Sequence, residues 1–297
     1  MAHQSETRSL ISFAQLQRGR GKAIYWTLLI TVVILFTLCF IGPLYWMVTG
    51  ALKSSPELAQ TPPTLWPSDP QPGNYAEAWN RLDLAKLLFN TFYYAIGALV
   101  FQLVLDTAAA YALSKLRPKL GNLILGLMLA TLMIPAMVLI IPQYVTVIDM
   151  PIPFTELSLI DSPFAIWLPA VANAFNIFLL KRFFDSIPED LMSAARMDGA
   201  GSMRTLWSIV LPISRPILGV VSIFAVTAVW KDFLWPKLVM PSPETRTISV
   251  GIYAFSGGTP QNVVVAAAVI AAIPTIVFFL IFQRSIMSGL TAGGLKE

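Results

Sequence analysis

Residues 186–212 read SIPEDLMSAARMDGAGSMRTLWSIVLP and lie between two strongly apolar runs. The stretch carries Arg196 and Arg204 and still reads as ordered helix, which sets it apart from an ordinary connection. Ser186 can cap a helix whose Glu189 reaches back, and Pro188 is tolerated in that first turn. Leu191, Ala194, Ala195 and Met197 recur at roughly helical spacing, opposite Asp190, Ser193 and Arg196. Gly199 and Gly201 permit a sharp turn, Ser202 can start a second short helix, and Leu211 with Pro212 closes the unit. A helix-turn-helix with a small-residue face, held between apolar runs, is a surface for a partner to dock on.

The surrounding chain is not built for water. Of its 297 residues 56% are hydrophobic and 12% charged, and the mean hydropathy is +0.69, whereas soluble domains are about 25% charged. Several runs reach the roughly 20 apolar residues that cross a bilayer as helix. The pattern predicts an all-α polytopic membrane protein with six spans, at about 24–48, 87–113, 123–148, 162–184, 216–239 and 263–287. The first run is too long for a signal peptide and lacks a small-residue cleavage site, so it reads as a retained span behind a polar tail, 1–23. Pro135 and Pro142 predict a kink or break in the third span. The proline-rich connection 50–85 predicts an extended loop with a short helix near 75–81, and 240–262 reads as a polar loop. The single cysteine, Cys39, excludes an intrachain disulfide and reads as a small core or lipid-facing residue.

Charge sets the orientation. Fourteen of the twenty Lys and Arg residues fall in the amino-terminal tail, the 114–121 turn, the 181–215 stretch and the carboxyl tail. Five fall in the alternate connections, and Lys231 lies within a span. The positive-inside rule therefore predicts both termini and the 186–212 unit on the cytoplasmic side. The net charge of +4 is small and sits where a membrane face wants it, so nucleic acid is not a predicted partner.

Enzymatic signatures are missing. There is no G-x-x-x-x-G-K-[ST], no H-E-x-x-H, no cysteine pair and no G-x-S-x-G, and the one histidine, His3, lies in the tail. Polar side chains within spans are the remaining candidates. Asp106 in the second span can belong to a translocation path or make a helix–helix contact. Trp230, Lys231 and Asp232 in the fifth span can line a cavity or join helices, and so can Asn173 and Asn176 in the fourth.

The spacing Ala194-Ala195, then Gly199, then Ile209-x-Leu211-Pro212 resembles the EAA signature of ABC importer permeases. AARMDGAGSMRTLWSIVLP is similar to the carbohydrate-uptake branch, in particular the maltose-permease G-type subunit. Further matches are LKSSPEL, Asn74-Tyr75, Asn90-Thr91, AAAYALSKL, MIPAMVLIIPQY, FNIFLLKRFF, WKDFLWP and GLTAGGLKE, so the resemblance covers about residues 25–297. It implies a type I importer permease domain over 24–297, with both termini inside, in a bacterial-type cytoplasmic (inner) membrane. It implies a second permease subunit, two cytoplasmic ATPases and an extracytoplasmic solute-binding protein or lipoprotein that delivers a sugar or sugar-like solute. This chain would bind no cofactor; ATP and Mg would sit on the partner ATPases. Ser193, Ala194, Ala195, Met197, Asp198, Gly199, Leu206 and Pro212 would form the ATPase-coupling surface, with Met197 and Leu206 as apolar anchors. The tail GLTAGGLKE would also contact the ATPases, and Ser256, Gly257, Gly258 and Thr259 would meet the binding protein. Three residues depart from the family pattern. Ser193 stands where glutamate is usual, Lys231 where asparagine is usual, and Asp106 where the family is more often uncharged. The competing expectation is an ion-coupled secondary carrier using Asp106 and Lys231/Asp232; a scaffold that only assembles partners is a third.

Overall fold

In the computed structural model, which describes residues 19–150 and 158–294, there is no strand among the described residues and the chain is mostly helix. An apolar chain in hydrocarbon must satisfy its backbone polar groups internally, which a helix does along its whole length. Three helices are long and apolar enough to cross a membrane unbroken: Gly21–Ala51, Leu84–Leu116 and Gln261–Gln283. The other three candidate spans are bent pairs.

Helix α1 (Gly19–Ala51) is apolar on every side, and its side chains over 24–48 stay largely exposed. An all-round apolar helix left uncovered by its own chain has the pattern of a membrane span. Helix α1 is held near its end, where Ala51 is buried with Ala78, Leu82, Leu84, Leu87, Ile248, Val263, Ala266 and Ala267. A short α2 (Ser55–Leu58) and α3 (Gly73–Arg81) follow, and then α4 (Leu84–Tyr111), which passes into a π-helical turn at Ala112–Leu116. The third span is α5 (Gly121–Thr131) and α6 (Ala136–Asp149), bent by 101°. Pro135 caps α6 in an extended conformation, so of the two prolines it is the one at the break, while Pro142 sits inside α6. The fourth span also breaks, by 48°, between α7 (Phe164–Ala170) and α8 (Ala174–Asp185).

After α9 (Glu189–Met197) and α10 (Ser202–Thr205), a π-helical turn (Leu206–Val210) and a last short turn (Leu211–Ile213) lead into α11 (Arg215–Lys231), at an angle of 85°. The fifth span does not run to residue 239: α11 stops at Lys231, and α12 (Leu234–Val239) is a separate helix. The 240–262 connection is not a plain loop either, since it contains α13 (Ile248–Ser256). Helix α14 (Gln261–Gly294) closes the bundle, packing on α11 and α1.

The 52–72 connection is extended as its prolines predict, and it is also clasped. The amide of Asn74 donates to the carbonyls of Ala51 (2.8 Å) and Lys53 (3.0 Å). The buried Lys53 ammonium donates to the Thr64 carbonyl and lies 4.3 Å from the centre of the Trp46 ring. Glu57 accepts from the Ser68 N–H at 2.9 Å and from the Thr64 and Ser68 hydroxyls, each at 3.1 Å. The Ser68 N–H is the main reason its carboxyl is held below the ordinary 4.5. A depressed carboxylate contributes stability above its unfolded value and loses it as pH falls through the lowered one. Proteolysis of the 59–70 segment is therefore expected to be flat from neutral pH down to 4.5 and to rise below it. Glu57→Gln should remove that acid step, and a profile unchanged by the substitution would place the titrating group elsewhere.

Candidate functional site: the elbow and the broken spans

The 186–212 unit forms an elbow at the end of the bundle where α4, α8 and α11 meet. Gly199 takes φ +74°, so the chain reverses there through a conformation that side-chain-bearing residues rarely adopt. The amino-terminal cap differs from expectation. Ser186 ends α8, its hydroxyl donating to the Phe183 carbonyl, and Pro188 is the cap residue of α9. Pro188 takes φ −55° and ψ 135°, outside the helical region, so the helix starts at Glu189. Freed from capping, Glu189 accepts from Arg117 at 2.8 Å and lies 3.6 Å from the buried Lys115 ammonium.

The elbow is fastened to the spans by apolar and polar contacts. Met192, Leu206 and Val210 are buried in one cluster with Ile177, Leu180, Phe184 and Ile187 on one side and Ile217, Val220 and Val221 on the other. The Lys115 ammonium donates to the Ile187 carbonyl (2.8 Å), and the Ser114 hydroxyl donates to Asp185 (2.7 Å), which also pairs with Lys181 (2.7 Å). The sequence reading gave Glu189 a capping role and counted Lys115 only as part of a basic turn; Asp185, and the pairing of these segments, escaped it. The available signal was a basic turn, 115–119, ahead of a segment opening on acids.

The structure separates the predicted coupling residues into two groups. Ser193, Ala194, Asp198, Gly199 and Pro212 are exposed, and Met197 is 83% exposed. Ala195 and Leu206 are turned into the protein. Leu206 is thus a core residue and not an outward anchor, buried in the same cluster as Phe184 and Ile177. The unit's most exposed large apolar side chains after Met197 are instead Met203 at 70% and Trp207 at 66%.

Within the bundle, Asp106 and Gln102 of α4 meet the break in the fourth span. Asp106 is fully buried, one carboxylate oxygen accepting from the Asn173 N–H at 3.1 Å while the other has no partner among the described residues. The Gln102 amide donates to the Ala170 carbonyl (2.5 Å) and accepts from Asn176 (3.4 Å). Asn173 caps α8, its side chain accepting from the Asn176 N–H at 3.1 Å. Asn173 and Asn176 are therefore a helix cap held by α4, satisfying backbone that the break leaves orphaned.

The second break follows α11. Trp230 is buried and donates to the Ala271 carbonyl of α14 (3.2 Å), so it joins two helices. Asp232 is extended, accepts from the Trp235 N–H (3.3 Å), and its carbonyl accepts from Ser249 (2.8 Å). Lys231 is exposed. At the same end, Asn90, Thr91 and Tyr94 of α4 bond the 244–248 backbone, Thr91 accepting from the Ile248 N–H at 2.8 Å. Ser256 ends α13 and, like Gly257 and Gly258, is exposed, with Thr259 half-buried. Arg81 of α3 donates to the Gly258 carbonyl (2.7 Å), steadying this turn. The carboxyl tail beyond 294 lies outside the described residues, as do the amino-terminal residues before 19.

Apolar spans, two of them broken where polar side chains gather, and an elbow welded to the fourth and fifth define a membrane permease. The chain belongs to the binding-protein-dependent transport system inner membrane component family, whose model matches residues 107–291. It is similar to the sulfoquinovosyl glycerol transport system permease protein SmoH of Agrobacterium fabrum, 33% identical over 86% of this chain and 88% of that protein. It is also similar to the sn-glycerol-3-phosphate transport system permease protein UgpE of Yersinia enterocolitica, 32% identical over 87% and 93%. Among solved structures, a chain of a bacterial ABC transporter that imports the acidic polysaccharide alginate superposes with a TM-score of 0.78, covering 90% of this chain and 98% of its own at 24% identity. This is the ABC importer permease fold in a multi-pass inner-membrane component. These relatives do not carry the maltose name that the sequence resembles.

Proposed function

We propose that this chain is one of two permease subunits of an importer for a sugar or sugar-like solute. An extracytoplasmic binding protein or lipoprotein delivers the solute, two cytoplasmic ATPases hold ATP and Mg, and both termini of this chain face the cytoplasm. The observation that carries the reading is the burial of Met192, Leu206 and Val210 among residues of the fourth and fifth spans. A partner that moves the elbow must move those spans, which gives two conformations a differential contact to act on. Met197, Met203 and Trp207, with the exposed Ala194 one turn back along α9, are the apolar surface available to an ATPase groove. Ser193 lies exposed beside it, so the glutamate it replaces would have faced the partner. The turn at 256–259 is the surface offered to the binding protein.

The test is reconstitution in liposomes with the partner subunits, using radiolabelled sn-glycerol 3-phosphate and sulfoquinovosyl glycerol as first probes. Uptake is expected only with ATP. Uptake by this chain alone under an ion gradient would overturn the reading. Asp106 separates the two mechanisms further. Asp106→Asn keeps an acceptor for the Asn173 N–H and is expected to transport within about twofold of the parent. Asp106→Leu orphans that buried N–H, at a cost of about 1–3 kcal/mol, and should lower thermal stability. A carrier that cycles an ion through Asp106 would lose uptake in both.

A further inference from the structure

The break after α11 holds cations that the coupling role does not use. Helix α11 rises about 25 Å over its 17 residues, against a hydrocarbon core about 30 Å thick. Lys231 and the non-helical pair Asp232-Phe233 therefore lie within membrane depth. Irregular backbone is tolerated there only when it is buried in protein or lines water, and an ammonium avoids lipid for the same reason. Lys231 and Lys237 are both exposed on this chain, and neither is within ion-pair distance of an acid among the described residues. Asp232 does not neutralise them; its carboxylate is turned back to the Trp235 N–H. Phe233 and Tyr253 meet edge to face, with ring centres 5.1 Å apart. The Lys237 ammonium lies 4.2 Å from the centre of Tyr253 and 5.4 Å from that of Phe233. Tyr253 remains 55% exposed, so the platform is open on one side.

We infer that Lys231, Lys237, Phe233 and Tyr253 form a subsite on the translocation path that takes the anionic group of a sugar-like solute, a carboxylate, phosphate or sulfonate. The rings hold Lys237 upright without cancelling its charge and offer a face to the apolar side of a sugar ring. The Lys231 ammonium adds a second positive charge at the helix end. The subsite rests on the permease reading, so its test reads charge and water access directly and does not depend on transport.

Leu234, 36% exposed, lies one turn before Lys237 on α12 and serves as the reporter. The experiment uses the complete complex in sealed vesicles, with Cys39→Ser and Leu234→Cys in this chain. Its thiol is treated with the anionic sulfonatoethyl or the cationic trimethylammonioethyl methanethiosulfonate, each rate being divided by the rate with a small free thiol. The normalised rate is expected to favour the anionic reagent by roughly tenfold. Lys231→Asn or Lys237→Gln should each cut that preference, and the two together should bring it to about one. A preference near one in the parent, or a preference for the cation, would overturn the anionic subsite. Reaction with neither reagent would overturn its place on a water-filled path. Loss of ATP-dependent uptake with the charge preference intact would instead fault the permease reading and leave the subsite standing.

Discussion

Gly97→Ala is expected to destabilise the protein by about 1–3 kcal/mol, the range for overpacking a filled interior, and to become neutral or stabilising once Trp167 is cut back to alanine. A Cβ on Gly97 would lie 2.2 Å from Cε2 and 2.3 Å from Nε1 of the Trp167 indole, closer than real Cβ atoms come to any neighbour. The indole has no retreat. Its N–H donates to the Tyr94 carbonyl at 3.1 Å, and its rings meet Tyr93 at 5.3 Å, Phe101 at 5.6 Å and Phe164 at 5.5 Å. The clash must therefore part α4 from α7, the first half of the broken fourth span. Gly251 is a second close approach: a Cβ there would lie 2.4 Å from Cδ1 and 2.6 Å from Cδ2 of Leu87, itself buried in the cluster around Ala51. In the Trp167→Ala background, itself costing about 3–5 kcal/mol, the new methyl meets a void. There only the helix preference of alanine over glycine, about 1 kcal/mol, is left to act. The check is a four-protein unfolding cycle in detergent. Equal effects of Gly97→Ala in both backgrounds would mean that the glycine is not there for the indole.

The features that sequence made legible are those carried by local chemistry. Apolar length gave the unbroken spans, and Pro135 marked the sharpest break. The glycine at 199 gave the reversal between α9 and α10. Neither 171–173 nor 232–233 contains a proline or glycine, and their one local mark, the cap-forming Asn173 or Asp232, is outweighed in the sequence by the apolar runs around it. Asn173 reads as a polar residue within a span until Asp106 and Gln102, about seventy positions earlier, are seen to bond its neighbourhood. The WKDF stretch reads as helix by composition, and its unwinding depends on Ser249 binding the Asp232 carbonyl. For the same reason Leu206 was assigned to the outer surface: periodicity gives an apolar stripe without saying which neighbour it faces, and the π-helical turn at 206–210 rotates that stripe inward. Ser186 is not the cap because the helix starts two residues later than expected, behind Pro188, and Ser186 instead closes the preceding helix. What stayed hidden at the candidate site was pairing between distant segments.

Gly199→Val is expected to leave the complex assembled and hydrolysing ATP while uptake falls by a factor of about 5–30, the span that one to two kcal/mol covers. No atom lies within 4 Å of a Cβ placed on Gly199, so a side chain meets open space and the whole cost is in the backbone. At φ +74° that cost is about 1–2 kcal/mol for an ordinary residue, and more for a β-branched one. The strain can be relieved only by opening the turn between α9 and α10. Ala195 and Met192 on one arm, and Leu206 and Val210 on the other, are packed in the core and resist following. The exposed side chains flanking the turn, Met197 and Met203, are freer to shift, so the surface proposed for the ATPase changes shape before the core does. Gly199→Asn separates geometry from bulk, because asparagine tolerates the left-handed region and should keep most of the uptake. If valine and asparagine fail alike, the position is a contact point and not a hinge. If uptake survives valine, the elbow does not transmit the ATPase stroke at all.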